Sequence, residues 1–449
     1  MNGALPHVCV IGAGVSGLTA GKALSDWGIP YTCFEASDDI GGTWYFGNPH
    51  GRSAAYRSLH IDISRPSISF RDFPMSDRYP DFPHHAEILD YLHEYATAFD
   101  LRRRIRFDSE VEDATPLADG WSIRLSDRGI EHFDALLVCN GHHWDPSWPD
   151  PPFPGEFAGP QIHAHSYVDP TDPVELAGKR VLVVGIGNSA VDITSELSRK
   201  GVAEKVFIST RSGAWVVPKY FLGRPLDQIA KTIPWIPLAW QRQLTKVIPY
   251  LASGRPERFG LPTPDHRFLD AHPTVSSEIL LRLGSGDAVA KPNVKELSGD
   301  RVGFEDGSVE PIDAIIYATG YRISFPFLDP ALFSAPGNRV HLYKSMFAPG
   351  LERLAFIGLA QALPTIFSFA ECQSKFAARW LAGEWDLPPI EEMEHEIALD
   401  LERFTGNYSD RPRHTIQHNF YVYDYELRHE VLPAGRRRAA ARRAELAAA

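Results

Sequence analysis

Cysteine is scarce and scattered in this chain. Cys9, Cys33, Cys139 and Cys372 are the only four among 449 residues. They form no CxxC pair, no zinc-type spacing and no dense disulfide framework, which excludes a thiol–disulfide reductase built on a nearby redox pair. Positive charge is also in deficit: 45 Lys and Arg against 57 Asp and Glu leave a formal charge of −12. Nonspecific nucleic-acid binding needs a basic footprint, so no nucleic-acid partner is expected. No apolar run reaches the roughly 18–20 residues of a membrane span. No basic segment precedes the first strand pattern, so no secretory signal is read. The metal-binding pattern HExxH and the nucleophile pattern GxSxG are both missing, and no metal site is expected. The expectation is a reduced, cytoplasmic protein without a membrane span.

What is present reads as a folded protein of two or three domains, with 44% hydrophobic and 23% charged residues. One local pattern occurs twice and organises the chain. In the first copy, Val8 to Ile11 is a short apolar run, as expected of a strand buried on both faces. Gly12, Gly14 and Gly17 follow as GxGxxG, and Val15 to Trp27 reads as a helix stopped by Gly28. Tyr31 to Phe34 is the next strand, and Glu35 ends it. In the second copy, Val181 to Val184 is the strand, and Gly185, Gly187 and Ala190 fill the three small positions. A helix through Leu197 and a strand from Val206 to Ile208 follow, ending in Ser209, Thr210 and Arg211.

Each part of the pattern has a mechanical reason. The first glycine makes a tight turn, and the second lets a pyrophosphate approach the backbone. The third lets helix and strand pack closely, while the helix N-terminus faces phosphate charge. Glu35 can accept hydrogen bonds from both hydroxyls of a ribose. A guanidinium at Arg211 can clamp a 2′-phosphate that a carboxylate would repel. The first unit therefore suits a dinucleotide with a free ribose, and the second suits NADP. The plainer readings are a glycine-rich turn that binds nothing and a surface arginine at a strand end. Ile40-Gly-Gly-Thr-Trp44 adds paired glycines that permit close approach to a cofactor, and Trp44 either covers a ring system or packs behind a turn. Two dinucleotide sites in one chain suggest hydride passing from NADPH to a flavin.

Between the copies, Pro146 to Pro160 reads as an inter-domain connection. Further strands are expected at Ala135–Cys139 and Ala314–Ala318. Phe221 to Pro273 fits neither repeat and reads as an insertion, with an aromatic and aliphatic stretch from Ile233 to Leu251. The Ala/Arg-rich tail after Pro433 reads as a solvated helical end in preference to a basic binding arm.

These residues resemble the class B flavin-dependent monooxygenases, and within them the flavin-containing monooxygenases. That family carries FxGxxxHxxx followed by Tyr or Phe. Here Phe157, Gly159, His163 and Tyr167 fill every fixed position, and Tyr167 favours this group over the Baeyer–Villiger group, which ends in Trp. Gly51-Arg-Ser-Ala-Ala-Tyr56, Asp72-Phe-Pro74, Cys139-Asn-Gly-His-His143, the Ala-Thr-Gly-Tyr321 hinge, Gly358-Leu-Ala-Gln361 and Glu371-Cys-Gln373 extend the resemblance over nearly the whole chain.

The resemblance implies an α/β fold with two Rossmann-like dinucleotide-binding domains, the NADP domain inserted into the FAD domain. The expected divisions are 1–169 for the first part of the FAD domain, 170–310 for the NADP domain with its insertion at about 221–273, and 311–449 for the rest. Contacts to FAD are expected from Gly12, Gly14, Ser16, Gly17, Glu35, Gly42, Thr43, Trp44, Val111 and Gln361. Contacts to NADPH are expected from Gly185, Gly187, Asn188, Ser189, Ala190, Thr210 and Arg211. The implied activity is NADPH-dependent formation of a C4a-hydroperoxyflavin that oxygenates soft nitrogen or sulfur nucleophiles, with a small amine or sulfide and molecular oxygen as partners. A Baeyer–Villiger ketone monooxygenase and an NADPH oxidase or flavin reductase remain as alternatives, and a homodimer is left open. His163 reads as a domain-linking residue more than a proton carrier. One position departs from the family: where it usually has asparagine before DFP, this chain has Asp62, the candidate catalytic residue. An amide can donate a hydrogen bond, whereas a carboxylate donates only when protonated.

Overall fold

The computed structural model describes residues 5–126, 129–231, 249–268, 272–407 and 415–448. Two five-stranded parallel sheets carry the chain. In the first, the order is Leu354–Phe356, Ala135–Val138, Val8–Ile11, Tyr31–Phe34 and Ile105–Arg106. In the second it is Gln161–His163, Ala314–Tyr317, Arg180–Val184, Lys205–Ser209 and Ala288–Lys291. Each glycine-bearing strand is the middle one of its five. Its apolar run is buried throughout because helices and smaller sheets cover both faces. Strand order reverses beside it, and doubly wound sheets open their ligand crevice at that place.

The expected helices and strands are found with ends shifted by one or two residues: Val15–Asp26, Asn188–Leu197 and Lys205–Ser209. An antiparallel meander of Val111–Leu117, Gly120–Leu125 and Gly129–Phe133 packs its apolar side with Ile11, Phe34 and Val138. A four-stranded sheet that includes Gly155–Phe157 covers the second parallel sheet.

The expected divisions at 169/170 and 310/311 cut through the second sheet. Gln161–His163 is its edge strand, and Ala314–Tyr317 lies between that edge and Arg180–Val184. Both pairings join segments more than a hundred residues apart, so local pattern could not assign them. The two connections between sheets run side by side, Asp145–Pro146 pairing antiparallel with Tyr321–Arg322. The excursion read as an insertion leaves after Val216–Val217 and returns at Thr274–Val275, because those two short strands pair in parallel. Of the aromatic and aliphatic stretch expected at 233–251, residues 233–248 lie outside the described residues.

The tail is helical, Leu432–Ala448, and its outer face and last two turns are exposed as expected of a solvated end, while its first half is docked along one face. Gly435 and Ala439 are buried, and a Cβ on Gly435 would stand 2.7 Å from Cε3 of Trp385. Arg436 donates to Glu384 at 2.9 Å and Arg442 to Asp386 at 2.8 Å. Among the described residues, no helix is long and apolar enough to cross a membrane. The four cysteines are free, and three of them are buried.

Candidate functional site

The first glycine turn is a backbone cradle. Gly12 has φ +96°, and a Cβ there would stand 2.8 Å from the carbonyl oxygen of Cys139 on the neighbouring strand end. The second unit repeats the arrangement: Gly185 has φ +136°, with Ala318 O at 2.4 Å from its would-be Cβ. Both first glycines therefore sit where strand order reverses, pressed against the residue that follows the adjacent strand.

Gly14 and Gly187 stand at the N-caps of the two helices, with no side-chain cap and no acid in the first turn. Helices elsewhere in the chain are capped by His84 and Thr365. The first-turn N–H groups of the two glycine helices are thus left to an anion, which the helix dipole also favours.

Around the first cap the chain crowds backbone on backbone. Gly42, at φ +55°, would place a Cβ 3.1 Å from Gly14 Cα. The Gly41 amide donates to Ala13 O at 3.1 Å. A Cβ on Gly358, at φ +77°, would fall 2.0 Å from Ser16 Oγ. These contacts bring Gly12, Gly14, Ser16, Gly17 and Gly42 to one place with the Gly358 loop. Gln361, three residues on, keeps a buried Oε1 without a hydrogen-bond partner. A cradle without side chains, an uncapped helix end and an orphaned acceptor fit a dinucleotide.

Glu35 is buried, and each of its oxygens already accepts one backbone N–H, from Ala13 at 2.6 Å and Ser37 at 2.9 Å. Burial pushes its carboxyl up, and these two bonds pull it back down without cancelling the rise. One acceptor direction on each oxygen remains for a ribose. Trp44 closes the short turn Gly42–Trp44 and meets the Phe367 ring edge-on, centroids 6.4 Å apart. Thr43 contributes its carbonyl to Ser53 Oγ at 2.8 Å. Val111 is different: its side chain belongs to the apolar core under the meander, so it offers a ligand backbone only.

In the second unit, Ala190 is fully buried under the helix, and Asn188 Oδ1 accepts the Val275 amide at 3.0 Å. Ser189 stands in the first turn. Arg211 is exposed at the end of Lys205–Ser209. The neighbouring hydroxyls are engaged locally. Ser209 Oγ donates to Pro292 O at 2.6 Å, and Thr210 Oγ1 donates to Ser212 O at 2.7 Å. Thr210 therefore shapes the turn that presents Arg211; its proton is not free for a phosphate.

Asp62 lies where the two units meet. Lys219 Nζ is 3.7 Å from its Oδ1 and donates to Ile61 O at 3.0 Å. Asp192, on the second unit's helix, accepts the Tyr56 hydroxyl at 2.6 Å. Burial first and the Asp192 charge second push Asp62 up to about 8, against the pull of Lys219. Burial likewise lifts Asp192 to about 6. Tyr56, Asp192 and Lys219 line a cavity of about 300 Å³ with Phe82, Ser277 and Glu278. Sequence reasoning missed Lys219 and Asp192. Tyr56 stood in a recognised landmark, but its partner could not be read.

Of the family motif, Gly159 leaves no room for a side chain, since its Cβ would stand 2.4 Å from Asp313 O. Tyr167 is buried and donates to Glu196 at 2.9 Å. His163 ends the edge strand, its Nδ1 accepting the His165 amide at 3.1 Å. Burial pushes it down to about 4, so it is neutral at ordinary pH and serves the strand end.

Comparison with known proteins adds the chemistry. The family described as flavin-binding monooxygenase-like matches residues 6–434. Dimethylaniline monooxygenase [N-oxide-forming] 2 of Rattus norvegicus is 38% identical over 451 residues, covering 94% of this chain and 82% of that protein. Flavin-containing monooxygenase 5 of Homo sapiens is 38% identical over 436 residues, covering 92% and 80%. The solved S-allyl-L-cysteine S-oxygenase of Allium sativum superposes with a TM-score of 0.71 at 26% identity, covering 95% of this chain and 88% of that one.

Proposed function

The chain belongs to the flavin-containing monooxygenase family, and on that premise we propose that it uses FAD, NADPH and O2 to oxygenate a soft nitrogen or sulfur nucleophile. The observation that carries this reading is the duplicated cradle: two uncapped glycine helices, each at a strand-order reversal, one beside an acid and one beside an arginine. The net reaction balances as NADPH, a proton, O2 and substrate giving NADP⁺, water and the N- or S-oxide.

Gly12, Gly14, Ser16, Gly17, Gly42, Thr43, Trp44 and Gln361 would hold FAD, with Glu35 on its adenosine ribose and Val111 reached through backbone. Gly185, Gly187, Asn188, Ser189 and Ala190 would hold NADPH, with Arg211 on its 2′-phosphate. Bound flavin supplies the two-electron exchange with NADPH and oxygen. The chain's own task is to bind both nucleotides, exclude water and admit the nucleophile. Asp62, at the meeting of the two units, is the residue we assign to the reacting region. The NADP-binding unit then runs from Gly155 to Tyr317, with FAD-binding segments on either side, joined through the paired connections at Asp145–Pro146 and Tyr321–Arg322.

The test is direct. Flavin released from purified protein is identified by chromatography, and dimethylaniline and an alkyl sulfide are turned over under ¹⁸O-labelled oxygen. FAD, NADPH consumption and one labelled oxygen in the product are expected. FMN in place of FAD, hydrogen peroxide with no oxygenated amine or sulfide, or oxygen insertion into ketones alone overturns the reading.

A further inference from the structure

Where the two nucleotide units meet, three half-buried charges come from three separate segments. Asp62 belongs to the loop before the short helix Arg65–Ile68, Asp192 to the second unit's helix Asn188–Leu197, and Lys219 to the start of the excursion after Val217. One ammonium faces two carboxylates. Two carboxylates in a low-dielectric site cannot both stay ionised on the strength of one cation, because removing each charge from water is costly.

The hydrogen bonds decide which of the two is neutral. Asp192 accepts a phenolic hydroxyl from Tyr56 at 2.6 Å, which favours its charged form. Asp62 Oδ1 is buried and accepts nothing. The Lys219 ammonium stands 3.7 Å away, beyond hydrogen-bond distance, and directs one of its N–H groups to Ile61 O at 3.0 Å. Lys219 is itself fixed by the Phe82 ring 5.2 Å beneath it and by its backbone N–H, which donates to Ser277 Oγ at 3.0 Å. The other titratable groups around the pair are His60 and Tyr56 from the first unit, Glu196 on the same helix as Asp192, and Glu278, which is paired with Arg199 at 3.3 Å.

We propose that Asp62 and Asp192 share one proton across the meeting of the two units, that the proton resides on Asp62, and that Lys219 is the positioning residue that sets how firmly it is held. A protonated carboxyl carries an O–H donor, so Asp62 then presents what an amide side chain would present. The pair titrates as a unit, with Lys219 too distant to take the proton's place by hydrogen bonding. The bearing of this proton on oxygenation rests on the function proposed above; its existence does not.

The experiment is pH-difference infrared spectroscopy on the FAD-loaded protein. A carboxylic acid C=O band should be present at neutral pH and fade through about pH 8. It should be missing in Asp62→Asn. In Lys219→Met the midpoint should rise by about one unit or more, the scale on which a neighbouring opposite charge acts. Lys219→Arg should bring it back toward that of the native protein. A protein with no acid band at neutral pH overturns the proposal, as does the same band surviving in Asp62→Asn. An unmoved midpoint in Lys219→Met overturns the role of Lys219. Should Lys219→Met fail to fold, Lys219→Arg decides: a rise like that expected of Met would mean that packing, not charge, sets the proton. Oxygenated product without the infrared band defeats this proposal alone, and the band without any oxygenated product defeats the functional reading alone.

Discussion

Gly17 lies so close to Gly12 that a Cβ on it would stand 1.8 Å from the Gly12 carbonyl oxygen. The helix carrying Gly17 is therefore seated on the turn carrying Gly12, and that contact aims the helix end at the cradle. A methyl group cannot be absorbed by a flexible neighbour, because the obstacle is backbone. Overpacking of this kind costs roughly 1–3 kcal/mol and occasionally more. Gly17→Ala should therefore purify with little or no flavin and a lowered melting temperature. Full flavin content in that variant would show that the turn and the helix can part without consequence.

Glu35 is expected to be intolerant of its own amide. Both carboxylate oxygens accept backbone N–H groups, from Ala13 and Ser37. In Glu35→Gln one of those donors must face an NH2 group, and an unsatisfied buried donor costs about 1–3 kcal/mol. That cost lowers the melting temperature with or without flavin, and the loss of a charged acceptor for the ribose, worth about 1.5–3 kcal/mol, should weaken FAD roughly ten- to a hundredfold. Equilibrium dialysis of FAD against both proteins measures it, and equal affinities would place the ribose elsewhere.

Asp62 makes stability depend on pH in a definite direction. Its folded pKa is pushed up to about 8, against about 4 in the unfolded chain. Between those values the folded state binds more protons, so stability falls as pH rises. The contribution is complete below about pH 4 and is lost as pH climbs through about 8. Asp62→Asn removes that loss. Its melting temperature should exceed the native value by a margin that widens from mildly acidic to mildly alkaline buffer. A margin that is constant with pH would mean that Asp62 is ionised throughout.

The same residue links structure to coupling. With Asp62 protonated it can donate toward the reacting region; ionised, it can only accept. Hydrogen peroxide released per NADPH oxidised should rise as pH passes about 8 in the native protein and stay flat in Asp62→Asn. A parallel rise in both would take Asp62 away from the chemistry.

The glycine units were legible because their requirement is local: a turn, a close approach and a helix end within a few residues. The fold class followed from the two copies. The limits of the second unit did not, because Gln161–His163 and Ala314–Tyr317 join its sheet from far along the chain. Val111 was expected at the ligand, and the meander leaves only its backbone for that, because its side chain lies in apolar core. Lys219 carried no signal at all. A single lysine in no motif gains meaning only when folding sets it beside Ile61 and Asp62. Thr210 was expected to contact NADPH beside Arg211, yet its hydroxyl and that of Ser209 donate to carbonyls that the sequence did not single out.

That last point sharpens the prediction about cofactor choice. Arg211 is exposed at the end of its strand, where the adenosine ribose of the second nucleotide should lie. Hydrogen bonds to a charged group contribute about 1.5–3 kcal/mol, so Arg211→Gln should weaken NADPH roughly ten- to a hundredfold. NADH has no phosphate to lose, and its kcat/KM should hardly move. Thr210→Ala provides the contrast. Its hydroxyl donates to Ser212 O and accepts the Ser212 amide at 3.3 Å, so it holds the turn and has no proton left for the phosphate. Losing it should lower the efficiency with both cofactors by a similar, smaller factor, leaving their ratio nearly unchanged. A selective NADPH loss in Thr210→Ala would mean that the hydroxyl turns toward the phosphate on binding. An equal loss of both cofactors in Arg211→Gln would assign that residue to packing, and the reading of the 2′-phosphate would pass to another cation.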